Sequence, residues 1–159
     1  MSAGAFRRWA EKGDAHAQYM LGNCYAGGNG VPKDGAKAVK WYRKAAEEGH
    51  KFSQFIIGAC YHEGKEVPKN YAEAVKWYSK AAEQGEAVAQ WHLGAFYCKG
   101  EEVPQDTCLA YMWFNLAIAQ GFKTAIMDKE MLTERMSMEQ IAEAQKMSRE
   151  WLQKRDKEE

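Results

Sequence analysis

The residues of this chain that could do chemistry are four histidines, four cysteines, a glycine cluster and a set of carboxylates. His16, His50, His62 and His92 stand at unrelated positions, and none has a second ligand three or four residues on, the spacing by which a helix offers two donors to one ion. No metal site is expected. His62-Glu63 opens like the zinc-protease pattern, but no histidine follows at the required place. Gly27-Gly28-Asn29-Gly30 resembles a phosphate loop, yet it lacks the Gly-Lys-Ser/Thr ending and a preceding strand, so it reads as a turn between helices. Glu47, Glu48, Glu73 and Glu83 lie among lysines at helical spacing, the pattern of a solvated ion-pair face. No catalytic residue and no cofactor is expected.

What would position such groups is a repeat. A shift of 36 residues superposes Gly13, Gly49 and Gly85; Gln18, Gln54 and Gln90; Gly22, Gly58 and Gly94; and Tyr25, Tyr61 and Tyr97. The same shift superposes Pro32, Pro68 and Pro104, and Trp41, Trp77 and Trp113. Within one copy, Ala17, Leu21, Gly22 and Tyr25 form a stripe at spacings of three and four, which predicts a first helix, A. A glycine-rich break runs from Ala26 to Pro32. Asp34 then reads as the N-cap of a second helix, B, from about Gly35 to Glu48, closed by Gly49 in the left-handed conformation. The small residues Ala17, Gly22, Ala38 and Ala45 let the helices approach, with Tyr25 and Trp41 filling the space toward the next hairpin. Cys24 and Cys60, one period apart, fall at about the 10 Å of packed helices, beyond disulfide reach. Cys98 and Cys108 flank the third turn, and free thiols are the preferred reading there.

The expected fold is all-α, an α-solenoid of antiparallel hairpins in one domain over residues 1–159. Its parts are a partial repeat at 1–12, repeats at 13–48, 49–84 and 85–120, and a C-terminal capping hairpin at 121–159. The first helix carries only the end of a helix B, with Phe6 aligned on Tyr42 and Ala10 on Ala46. Ser137-Met138-Glu139-Gln140 reads as a capping box that starts the last helix, and the charged end after it as a solvated tail.

The wording Ala17-Gln18-x-x-Leu21-Gly22-x-x-Tyr25, Gly30-Val31-Pro32-Lys33-Asp34 and Ala38-x-x-Trp41-Tyr42-x-Lys44-Ala45-Ala46-Glu47-x-Gly49 resembles the Sel-one-like repeat (SLR), a relative of the tetratricopeptide repeat. The resemblance covers roughly residues 3–121. It implies a right-handed superhelix with helix A lining the concave face, and an adaptor function in assembling protein complexes. A cysteine-rich branch of that family, reported to bind penicillin-like compounds, pairs a helix-A cysteine with one near the end of helix B. Here that region holds Ala45, Ala46, Ala81 and Ala82, and no Ser-x-x-Lys motif is present.

Opposite the core stripe, helix A presents His16, Tyr19, Met20 and Asn23 in the first repeat, Phe52, Phe55 and Ile56 in the second, and Val88, Trp91 and His92 in the third. So apolar a strip predicts a groove for a partner's helix or extended peptide. Tyr19, Phe55 and Trp91, aromatic at one phase, are equally compatible with packing between repeats. Lysine plus arginine equals aspartate plus glutamate at 22 each, so no net field draws the chain toward nucleic acid. No stretch approaches the ~18 apolar residues of a membrane span, and Met1 to Trp9 has no apolar signal-peptide region. The expectation is therefore a soluble, monomeric protein-binding scaffold, with the cytoplasm slightly favoured as its compartment and a periplasmic or secreted location the alternative if a signal peptide has been removed. A self-associating structural protein and an enzyme acting on cell-wall or β-lactam substrates are the alternatives.

Overall fold

A computed structural model describes residues 2–159; Met1, the first residue of the expected partial repeat, lies outside them. Those residues form helices and no strand, the all-α class expected. The helices are α1 (Ala3–Glu11), α2 (Ala15–Gly27), α3 (Gly35–Glu47), α4 (Lys51–Glu63), α5 (Tyr71–Glu83), α6 (Ala87–Lys99), α7 (Thr107–Ala119), α8 (Thr124–Thr133) and α9 (Met138–Glu158). They fall into two compact units, one ending at Gln84 and the other running from Gly85 to Glu159.

Each B-type helix starts where a short polar side chain accepts a hydrogen bond from the first turn. Asp34 accepts from the Lys37 amide at 3.0 Å, Asn70 from Glu73 at 3.1 Å and Asp106 from Leu109 at 2.9 Å. Such caps are worth about 1 kcal/mol each. The A-type helices are capped by three chemically unlike residues at one phase: Asp14, His50 and Glu86. After each B-type helix, Gly49, Gly85 and Gly121 take φ of 92°, 86° and 90°, the left-handed turn that reverses the chain. Where the first repeat has Gly30 at φ 74°, the next two hold Glu66 and Glu102 at 62° and 60°, a conformation that costs a residue bearing a Cβ.

In the first unit every helix packs on the next, α1 through α5. The hairpins close on a contact that is not evident from the conserved-looking tryptophans: the residue after each of them carries the ring. A Cβ on Gly22 would lie 2.6 Å from the Tyr42 ring, and one on Gly58 2.8 Å from that of Tyr78. Trp41, expected to fill the space, is half-buried against the core, and Trp77 and Trp113 of the same row are buried, as are Tyr42 and Tyr78. The recurring glutamine ties α2 to α1 and α4 to α3. Gln18 Nε2 donates to the Ala10 carbonyl at 3.2 Å, and Gln54 Nε2 to that of Ala46 at 3.2 Å.

In the second unit α6 pairs with α7 in the same way, with Phe114 over Gly94. The end then departs from the repeat. α8 packs on α7 as an A-type helix would, but α9 also lies on α7 instead of pairing with α8. The expected capping box is present: Ser137 Oγ accepts from the Gln140 amide at 3.1 Å, and Gln140 Oε1 accepts from the Ser137 amide at 2.9 Å.

Candidate partner-binding face

The helix-A positions expected to face solvent are covered further than the sequence implies. In the first unit only His16 and Phe52 are exposed; Tyr19, Met20, Asn23, Phe55 and Ile56 are half-buried. The neighbouring hairpin does the covering. Tyr19 stacks on His50 with ring centroids 4.6 Å apart and has Tyr42 and Phe52 at 6.1 and 6.2 Å. His16 lies 5.7 Å from His50, so four rings from two successive A helices make one surface, with Phe52 46% exposed at its edge. Asn23 Oδ1 accepts from the Tyr42 hydroxyl at 2.8 Å, Ile56 packs against the core, and the Phe55 ring meets Tyr78.

His50 caps α4 through Nδ1, which accepts from the Ser53 amide at 3.3 Å, so that nitrogen must be unprotonated. Burial, helped by the charges of His16 and Lys51 and opposed by Asp14, lowers its pKa. Burial pushes the Tyr42 hydroxyl up to about 12, keeping it a neutral donor to Asn23. Beside this surface a crevice of about 480 Å³ runs along Ala38, Val39, Tyr42, Ile56 and Cys60, with exposed Lys33, Lys65 and Glu66 around it. Burial raises the Cys60 thiol pKa, which suits a core residue and not a nucleophile.

In the second unit Val88, Trp91 and His92 are half-buried. Trp91 packs on Phe122 at 5.5 Å, and its Nε1 donates to Asp128 Oδ2 at 2.7 Å. A crevice of about 470 Å³ lies between α6 and α8, lined by Ala95, Cys98, Phe114, Asp128, Met131 and Leu132. Arg135 reaches the Cys98 sulfur at 3.3 Å. Cys24, Cys60, Cys98 and Cys108 are all free thiols. Among the described residues no group of three histidine, cysteine or acidic side chains is placed to hold a metal ion.

The repeat period, the hairpins and the glutamine bridges bear directly on kinship. The Sel1 repeat model matches residues 15–50, 52–86 and 87–122. The chain belongs to the Sel1 repeat family. A Sel1 repeat protein from Oxalobacter formigenes is 36% identical, with a TM-score of 0.76, over 79% of this chain and 95% of that one. A protective antigen of uropathogenic Escherichia coli displaying an SLR fold is 39% identical, with a TM-score of 0.72, over 79% of this chain. The match spans only 27% of the antigen's length. A comparison with curated proteins gave no match. Sel1 repeat proteins are in general protein-interaction scaffolds. No helix among the described residues is long and apolar enough to cross a membrane.

Proposed function

We propose that the chain is a scaffold that binds a helix or extended peptide of a partner protein along the A-helix face. The observation that carries this is the ring surface of the first unit. His16, Tyr19, His50 and Phe52 come from two successive A helices, and Phe52, a residue type that normally seeks burial, stands 46% exposed over them. Rings already held against one another lose little conformational freedom on binding, so their contact area converts efficiently into affinity. Lys51, 5.3 Å from the Phe52 centroid, gives the edge a positive rim that favours an apolar partner segment flanked by acidic residues. Val88, Trp91 and His92 are assigned the same role in the second unit.

The test is capture of partners from the native host with wild type and with His16→Asp/Phe52→Asp as baits. Both substituted positions are exposed, so the fold should survive. The double variant should lose the specific partners; identical partner sets would remove this face from consideration. A nitrocefin or peptidoglycan assay on the purified protein addresses the enzymatic alternative, and turnover abolished by Phe52→Asp would replace the scaffold reading.

A further inference from the structure

The first two hairpins differ in what flanks the ring over the glycine. In the second, His62 Nδ1 lies 3.2 Å from the Tyr78 hydroxyl, and the His62 and Tyr71 ring centroids are 5.5 Å apart. The Lys69 ammonium stands 4.9 Å from the Tyr71 centroid. Rings and a lysine stem thus fill the space beside the joint. One period earlier the same phases hold Ala26, Gly35, Tyr42 and Lys33. Two rings are missing there, and the crevice of about 480 Å³ opens in their place. Its size falls within the roughly 300–1,000 Å³ of small-ligand sites.

The floor and the rim of this crevice differ in kind. Ala38, Val39, Ile56 and Cys60 make the floor apolar. Lys33 and Lys65 come to the rim from two different loops, and among the described residues neither pairs with a carboxylate. With glycine in place of Tyr71, Lys33 also has no ring at that position to stand on. Burial dominates the raised pKa of the Cys60 thiol, and Lys65 is the chief charge opposing it, which puts that ammonium near the floor. The carboxylate on the rim is committed elsewhere. Glu66 Oε1 lies 2.5 Å from where a Cβ on Gly35 would stand, at the first residue of α3, where a helix N-terminus favours negative charge. What remains is an apolar floor under two unpaired cations.

We propose that this crevice binds an amphipathic carboxylate, a short aliphatic chain lying on Val39 and Ile56 with its carboxylate between Lys33 and Lys65. The chain gains from leaving water, and the carboxylate meets opposite charge from two sides, whereas a cation on the same chain would meet like charge. The crevice between α6 and α8 has Cys98 and Phe114 at the phases of Ala26 and Tyr42, but Asp128 and Glu134 there balance Lys99 and Arg135. One site per chain is therefore expected, in the first unit. This goes beyond partner binding on the A-helix face, with which the crevice shares only Ile56.

Isothermal titration calorimetry with decanoate, kept below its micelle concentration, tests the site on the full chain. One decanoate should bind per chain, more weakly as salt is raised, and decylammonium at the same concentration should give only heat of dilution. Lys33→Glu with Lys65→Glu, both at exposed positions, should weaken binding at least about tenfold. Ala26→His gives the first hairpin the residue that the second already carries at this phase, and should abolish binding with the circular dichroism and melting midpoint of wild type. His16→Asp/Phe52→Asp, the variant that tests the partner face, should bind decanoate as wild type does. Absence of decanoate binding overturns the proposal, as does equal binding of decylammonium. Wild-type affinity in the lysine variant or in folded Ala26→His also overturns it. Binding of a leucine- and glutamate-rich peptide but not of decanoate would give the crevice to a partner's segment and overturn the small-ligand site.

Discussion

Tyr19 and Trp91 occupy the same place in the repeat, two periods apart, and are held by different forces. Tyr19 sits in a cluster of rings, stacked on a neutral histidine, and no hydrogen bond orients it within the first unit. Trp91 meets two rings, its neighbour His92 at 4.8 Å and Phe122 at 5.5 Å, and is fixed by a 2.7 Å bond from its indole nitrogen to Asp128. Below both, the hairpin contact is the same, an aromatic ring over a glycine. The repeat therefore conserves its inner joint and varies its outer one. The outer joint lies on the face proposed to bind a partner, so variation there would change what is bound without endangering the fold.

Removing the inner joint should cost most and should cost both units alike. Tyr78→Ala and Phe114→Ala delete rings that are 0% and 2% exposed, and each should destabilise by about 3–5 kcal/mol. Chemical denaturation followed by circular dichroism measures this. A loss under about 1 kcal/mol at either site would mean that glycine and ring are not the hairpin's joint. The outer joint should respond unequally. Trp91→Phe breaks a bond to a carboxylate and should cost about 2 kcal/mol, whereas Tyr19→Phe should change stability by less than about 0.5 kcal/mol. Equal costs would erase the distinction between the two units.

How far the sequence foretold this depends on whether a residue type recurs or only its task does. The period, the A and B helices, the Asp34 cap, the left-handed Gly49 and the Ser137–Gln140 capping box were legible, because each rests on residue types whose chemistry suits that one job. The ring over the glycine was harder to see. Tyr42, Tyr78 and Phe114 differ in type and follow an invariant tryptophan row that draws the eye. The A-helix caps Asp14, His50 and Glu86 share a task and no chemistry. The course of α9 was illegible in principle, since its amphipathic pattern fits a hairpin with α8 as well as a place on α7. The A-helix strip was legible as apolar, but how much of it a neighbouring hairpin covers depends on packing.

The glutamine row offers a finer comparison. Gln54 Oε1 accepts from Gln84 Nε2, and Gln90 Oε1 from Gln120 Nε2, both at 2.8 Å. In the first repeat the donor's phase holds Glu48, whose side chain has no amide N–H to donate, and Gln18 Oε1 is buried without a partner. Glu48→Gln should supply that hydrogen bond and stabilise the protein by about 1 kcal/mol. An unchanged denaturation midpoint would show that the first repeat does not close as the others do.

The smallest effect separates the units by pH. His50 caps α4 only while its Nδ1 is unprotonated, and a proton there would also place positive charge at a helix N-terminus, against the dipole. Its folded-state pKa lies below the ordinary ~6.5. Above that ordinary value both folded and unfolded chains carry it neutral, and its contribution is complete. As pH falls through 6.5 the unfolded chain takes up the proton first, so stability drops until the folded-state value is passed, and then levels. The groups facing it define the test: His16 and Lys51 oppose protonation, Asp14 favours it, and Tyr19 covers the ring. Between pH 7.5 and 5, wild type should lose up to about 1 kcal/mol more than His50→Asn. Asparagine is the control because Asn70 already caps α5 in this chain and carries no proton to gain. Parallel curves for the two proteins would place the acid sensitivity elsewhere than the His50 cap.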